Sequence, residues 1–193
     1  MSLDDLTLVV RAQEGDVRAF EALARRHQAA LYRTAVRVTG DPGEAEDALQ
    51  EAMLDAWRHL DRFRGESAFS TWMYRLVTNR CVAAMRRRRP VPAPASSGRS
   101  RAVSARVPAP AAGRGPAAAG SPERAALLDL ELAARGAAVQ DLPDDLRVCW
   151  VLRELEGLGY SEIAEITGAG ETAVRGRIHR ARVRLAGVMR TWR

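Results

Sequence analysis

Apolar side chains recur every three to four residues through most of this chain, and no stretch alternates singly as a half-buried strand would. Leu6, Val9 and Val10 mark a first helix over roughly residues 3–14, broken and recapped at Gly15-Asp16. Phe20, Leu23, His27, Leu31, Ala35 and Val38 fall on one face of a second helix, which Gly40 ends. Asp41-Pro42-Gly43-Glu44 then offers an N-cap, a proline at the first helical position and an acid at the third. The third helix runs to about Leu60, buried through Ala45, Ala48, Leu49, Ala52, Met53, Ala56 and Trp57. A polar loop over 61–67 leads to a fourth helix from about Ala68 to Arg87, buried through Phe69, Trp72, Met73, Leu76, Cys81 and Met85.

The C-terminal pattern is more specific. A short helix capped by Ser161 stops at Gly168, where a turn favours positive φ. After a three-residue turn, Val174, Ile178, Ala181 and Leu185 form one apolar stripe on a second helix, and Ala164 is small where the two helices approach. This is the spacing of a helix-turn-helix, which lays its second helix in a DNA major groove. From 171 to 193 the chain has seven Arg and one acid, so positive charge is concentrated on the helix that would meet DNA.

Charge and composition divide the rest. Residues 86–122 hold eight Arg, no acid and seven of the nine prolines, a composition that cannot bury a core. The expected fold is therefore all-α: two small helical domains, an N-terminal bundle over 1–87 and a helix-turn-helix domain over 123–193, joined by a flexible Pro/Ala/Arg-rich linker over 88–122. Every basic residue other than histidine is Arg, which excludes a Walker-type phosphate loop and Schiff-base chemistry. Cys81 and Cys149 sit in apolar-periodic stretches and read as buried, reduced thiols. No run of 18 apolar residues and no signal-like N-terminus occurs, so a cytoplasmic chain not inserted in a membrane is expected. His27, His59 and His179 are scattered, so no metal site, cofactor or catalytic group is expected. His27 reads as a core or boundary residue, and His59 as favouring a helix C-terminal dipole. From 41 to 55 there are six acids and no base, an acidic face that would repel DNA and suit a basic protein partner. Five aromatics lie between Trp57 and Tyr74. Trp57, Phe69 and Trp72 read as core, while Phe63, among Asp, Arg and Gly, is the least core-like and is placed to stack on an unpaired base.

Four motifs in order resemble the extracytoplasmic-function (ECF) sigma factors, the minimal two-domain class of bacterial sigma factors. They are Asp47-Ala-Leu-Gln-Glu-Ala-Met, the block from Leu60 to Asn79, Leu142-Pro-Asp-Asp-Leu-Arg, and Ala173-Val-Arg-Gly-Arg-Ile-His-Arg-Ala-Arg. The resemblance implies that the third helix docks core RNA polymerase on the clamp coiled coil of its largest subunit, through Asp47, Leu49, Gln50, Glu51, Met53 and Leu54. It implies a second contact with the flap region of the second-largest subunit. His59, Phe63, Arg64, Ser67 and Asn79 match positions around a flipped base of the promoter −10 element. Arg175, Gly176, Arg177, His179, Arg180, Arg182 and Arg184 match the helix that faces the −35 element. Gly176 stands where Ser is common, and Glu171 near DNA needs an Arg or the helix dipole as a partner. The resemblance further implies that the linker threads toward the polymerase active-site cleft. It also implies an anti-sigma factor, often membrane-bound, that would mask both modules of an otherwise nucleoid-associated protein until a signal arrives.

Two other classes can be set against this one. An ordinary DNA-binding regulator should pair its helix-turn-helix with a ligand cavity. The first 87 residues instead go to packed helices, an acidic stripe and an aromatic loop. An enzyme, with its small-molecule substrate, needs a nucleophile–base or metal-ligand cluster, and the sequence has none.

Overall fold

Aspartate caps set the helix boundaries of the N-terminal half. In the computed structural model, which describes residues 3–88 and 136–190 (side chains to 187), Asp4 accepts from the Thr7 N–H at 2.7 Å and starts α1, Asp5–Gln13. Asp16 accepts from the Arg18 and Ala19 N–H groups and starts α2, Val17–Thr39, which ends at Gly40 with φ 75°. Asp41 accepts from the Glu44 N–H at 2.9 Å and starts α3, Pro42–Arg58, as the Asp-Pro-Gly-Glu signal indicated. Such caps satisfy N–H groups that no helix can satisfy internally. His59 closes α3, a single 3₁₀ turn covers Leu60–Arg62, and α4 runs over Phe69–Arg88.

The bundle core is made by small residues as much as large ones. Ala45, Ala48, Ala52 and Ala56 are all buried, so α3 can lie close against α2 and α4. Leu23, Leu31, Val38, Met73 and Val77 fill the space between them. One expectation fails here. Trp57 is 40% exposed and leans on Phe20 at the bundle surface, because the alanine stripe rather than the aromatic faces inward. On α1 the buried residues are Leu8, Val9 and Ala12, while Leu6 and Val10 face out.

Among the described residues of the second module, a helical turn over 136–140 is followed by α5, Asp144–Trp150. Its last turn widens into a π turn over Val151–Leu155, closed by the Glu156 N–H to the Val151 carbonyl. The helix-turn-helix consists of α6, Tyr160–Thr167, and α7, Glu171–Arg190. Gly159, not Ser161, is the N-cap: its N–H donates to the Glu162 carboxylate at 2.7 Å, half of a capping box. Gly168 ends α6 with φ 65°. Val174, Ile178 and Ala181 are fully buried, and Leu185 packs beside Leu142 and Leu146.

The modules do not stand apart. One continuous apolar cluster runs from Leu31, Val38 and Met85 into Val148, Val151, Leu152, Ile163 and Ile166. Arg147, 8% exposed, donates to the Val38 carbonyl at 2.8 Å and to the Gln140 and Leu142 carbonyls. Gln140 in turn donates to the Arg37 carbonyl at 2.9 Å. Among the described residues no strand occurs, and no helix is long and apolar enough to cross a membrane. The expected linker over 88–122 falls, beyond its first residue, outside the described residues; that residue, Arg88, is the last of α4.

Candidate nucleic-acid interface

The cations of α7 differ in their surroundings. Arg177 sits against Asp145 at 3.3 Å, only 27% exposed, and Arg182 binds Glu154 at 2.6 Å. Both guanidinium groups tie α7 back to its own module, and the carboxylate beside Arg182 raises that group's pKa further. Arg175, His179, Arg180 and Arg184 are exposed, opposite the buried stripe of Val174, Ile178 and Ala181. The seven positions matched to the −35 element are therefore brought to one helix but not to one role. Gly176 is half-buried, and a Cβ there would stand 3.6 Å from Arg180 Nη1, ordinary contact rather than a clash. Glu171 lies in the first turn of α7 and 3.5 Å from Arg175, so both partners it needs are in place.

Tyr160 and Arg153 were not legible in the sequence as part of this surface. Two cations lie over the Tyr160 ring, Arg153 4.6 Å and Arg175 5.1 Å from its centroid. Such cation–π contacts hold a long side chain in place without neutralising it. Arg153 also donates to the Leu158 carbonyl at 2.8 Å, which fixes the hairpin just before α6. The one signal for them is Tyr160 at the first position of a short helix, one residue before the Ser161 start that the sequence suggests.

The loop matched to the −10 element is anchored rather than free. Gln13 of α1 donates to the Leu60 and Phe63 carbonyls at 2.8 and 2.9 Å, a tether that nothing in the loop's own sequence signals. Phe63 is 6% exposed and packs against Phe69 and Trp72 at 5.8 and 5.3 Å. The reading of Phe63 as the least core-like aromatic is thus corrected: its polar neighbours are exposed while its ring fills the junction between the loop and α4. Arg64 is exposed, Ser67 half-buried, and Gly65 turns the chain at φ 72°. His59 is half-buried at the end of α3, its Nδ1 3.0 Å from the Asp55 carbonyl. Asn79 lies away from this loop along α4, exposed at the rim of a groove of about 690 Å³ shared with Asp145 and Arg177.

The acidic face of α3 is divided too. Glu51 and Asp55 bind Arg80 of α4, and Glu44 binds Arg88, so three carboxylates serve the bundle. Asp47, Gln50 and Leu54 remain exposed along the outer face, Leu54 at 53%, with Leu49 and Met53 half-buried along one side. That leaves an apolar strip rimmed by acid. Among the described residues no group of His, Cys, Asp and Glu is placed to hold a metal ion. Cys81 and Cys149 are free and buried, and burial pushes the Cys81 thiol up to about 12.

Known proteins share this layout. Residues 23–91 match the Sigma-70 region 2 family and residues 136–185 the Sigma-70 region 4 family. The RNA polymerase sigma-H factor of Pseudomonas aeruginosa is 38% identical over 181 residues, covering 92% of this chain and 90% of that one. The ECF RNA polymerase sigma-E factor of Escherichia coli K12 is 37% identical over 183 residues, covering 93% and 91%. Among solved structures, CnrH in complex with the cytosolic domain of CnrY aligns over 97% of both chains with a TM-score of 0.69 and 26% identity. With an Arg-faced helix-turn-helix, an anchored loop before α4 and an acid-rimmed apolar strip on α3, this chain belongs to the ECF family of RNA polymerase sigma factors.

Proposed function

We propose that this sigma factor divides promoter recognition between its two modules and carries out no chemistry itself. Residues 1–87 bind core polymerase and the −10 element, residues 123–193 bind the −35 element, and 88–122 connect them. On α7, Arg175 and Arg180 read bases with His179 beside them, because a guanidinium can pair with guanine through two hydrogen bonds. Arg184 holds phosphate, while Arg177 and Arg182 keep the helix at a fixed angle to its module. The observation that carries this reading is that Arg175, His179, Arg180 and Arg184 lie exposed along one helix, whereas Arg177 packs against Asp145 and is only 27% exposed.

At the −10 element, Arg64 and Ser67 meet the strand from the anchored loop, and Asn79 from α4. Binding an extruded base favours melted over paired DNA, so binding energy alone opens the promoter. The exposed strip of Asp47, Gln50 and Leu54 docks the clamp coiled coil of the largest polymerase subunit, with a second contact to the flap of the other large subunit. Control by an anti-sigma factor is supported by the CnrH relative, whose structure was solved with CnrY. The protein works in the cytoplasm.

Two substitutions test the division. Arg180→Ala should weaken discrimination of the −35 duplex with opening of a bound promoter unchanged. Asn79→Ala should reduce permanganate reactivity at −10 with duplex affinity unchanged. If Asn79→Ala instead abolishes duplex affinity, the assignment of Asn79 to the melted strand is wrong.

A further inference from the structure

The loop before α4 is oriented from outside rather than by its own backbone. Its backbone–backbone bonds, the Arg62 N–H to the His59 carbonyl and the Phe63 N–H to the Leu60 carbonyl, both lie at its start. Gly65 then turns the chain at φ 72°, so the direction taken by Arg64 to Ser67 depends on how the peptides before that turn are set. The Phe63 ring is seated against Phe69 and Trp72. An apolar contact of that kind fixes a position but is non-directional, and leaves the peptide beside it free to rotate.

Gln13 supplies the missing orientation. Its amide nitrogen donates both hydrogens, to the Leu60 carbonyl at 2.8 Å and to the Phe63 carbonyl at 2.9 Å. The helix that carries Gln13 is pinned to α2 at both ends. At its start Asp5 pairs with Arg26, and with His27 at 2.8 Å, while Arg26 donates to the Leu3 carbonyl at 2.7 Å. At its end the Arg11 guanidinium binds Asp16, the N-cap of α2, at 2.6 Å. Leu6 of the same helix lies beside the loop's turn, since a Cβ on Gly65 would stand 3.9 Å from Leu6 Cδ2. The helix α1 is therefore a fixed prop against the loop. Gln13 itself is exposed and no part of the buried core, so its two directed bonds serve the loop rather than the packing of the bundle.

We propose that Gln13 is a positioning residue for −10 recognition: by fixing the peptides at Leu60 and Phe63, it sets the orientation in which Arg64 and Ser67 meet the melted strand. The proposal rests on the assignment of this loop to the −10 element. Gln13 acts through the loop and not on DNA. A loop held in one conformation before the strand arrives loses less freedom on binding, and it tells the right base from a wrong one more sharply. Without the tether the loop stays attached at both ends, but its turn can rotate.

Gln13→Ala removes the tether, and Gln13→Glu keeps its length while replacing the donor by a carboxylate that the two carbonyls repel. Both are made in the full chain and assembled with core polymerase. Anisotropy is then read on labelled single-stranded non-template oligonucleotides from promoters mapped by run-off transcription, with each −10 base replaced in turn. Preference for the native base at the captured position should fall by about tenfold in both variants, the effect of losing two hydrogen bonds of ordinary net strength. Affinity for a −35 duplex and the thermal midpoint should stay at the wild-type values, and amide exchange over residues 64–67 of the free protein should quicken. Unchanged base preference or unchanged loop exchange in both variants would overturn the proposal. So would a fall in thermal midpoint with all oligonucleotides weakened equally, which is the mark of a merely structural role. Arg64→Ala with Ser67→Ala in the same assay keeps the two claims apart. Base preference lost in that double variant but kept in the Gln13 variants would refute the role of Gln13 and leave the loop assignment standing. Base preference kept in all of them would refute the loop assignment, and the role of Gln13 with it.

Discussion

Arg182 and Glu154 are joined by two hydrogen bonds, from Nε at 3.2 Å and Nη2 at 2.6 Å to one carboxylate oxygen. This pair sits on the helix matched to the −35 element, yet its cation, 53% exposed, is held by a carboxylate of its own module. A helix rich in arginine therefore holds three of its guanidinium groups beside carboxylates, Arg175, Arg177 and Arg182. Arg182→Ala should leave −35 selectivity unchanged, whereas Arg175→Ala and Arg180→Ala should each cost about 1–3 kcal/mol of discrimination against altered −35 sequences. Fluorescence anisotropy on duplexes substituted one position at a time checks this.

The loop before α4 makes an opposite point. Phe63→Ala removes a buried ring and should destabilise the protein by about 3–5 kcal/mol, seen as a large drop in thermal midpoint. Arg64→Ala and Ser67→Ala should change stability by no more than about 0.5 kcal/mol and still impair promoter opening. Thermal melts beside permanganate footprints separate the two effects.

The packing of α3 through alanine gives a third expectation. Ala52 is fully buried where α3 meets its neighbours. Ala52→Leu should overpack that contact and cost about 1–3 kcal/mol, measured by urea denaturation. The more exposed Leu54→Ala should be near neutral in the same assay and weaken binding to core polymerase.

Burial also sets an alkaline limit. The Cys81 thiol is raised to about 12, so the folded state keeps a proton that the unfolded state gives up near the ordinary thiol value, roughly 8.5. That contribution is complete below this range and is lost as pH rises toward the folded value. Burial raises Tyr74 and Cys149 in the same direction. Stability measured between pH 7 and 11 should fall on the alkaline side, and Cys81→Ala should flatten the fall.

What could be read from the sequence was what repeats or caps. Asp41-Pro42-Gly43-Glu44 announced α3, Gly40 and Gly168 announced helix ends, and the 174–178–181–185 stripe announced the helix-turn-helix, because each is a local rule acting on adjacent residues. Phe63 was misplaced because its neighbours are polar and its burial depends on Phe69, Trp72 and a tether from Gln13, far away in sequence. Trp57 was misplaced because periodicity alone could not choose between an aromatic edge and an alanine stripe as the inward face. The pairing of Arg182 with Glu154, and the use of Arg147 to cap α2, join residues 28 and 109 positions apart, and no spacing rule anticipates them.

The central claim is that this protein gives core RNA polymerase its promoter specificity. Run-off transcription with core polymerase on fragmented genomic DNA of the source organism tests it most directly. Adding the protein should create transcripts from a small set of discrete start sites sharing −10 and −35 sequences. Sequence-specific duplex binding by the protein with no new start sites would contradict the account.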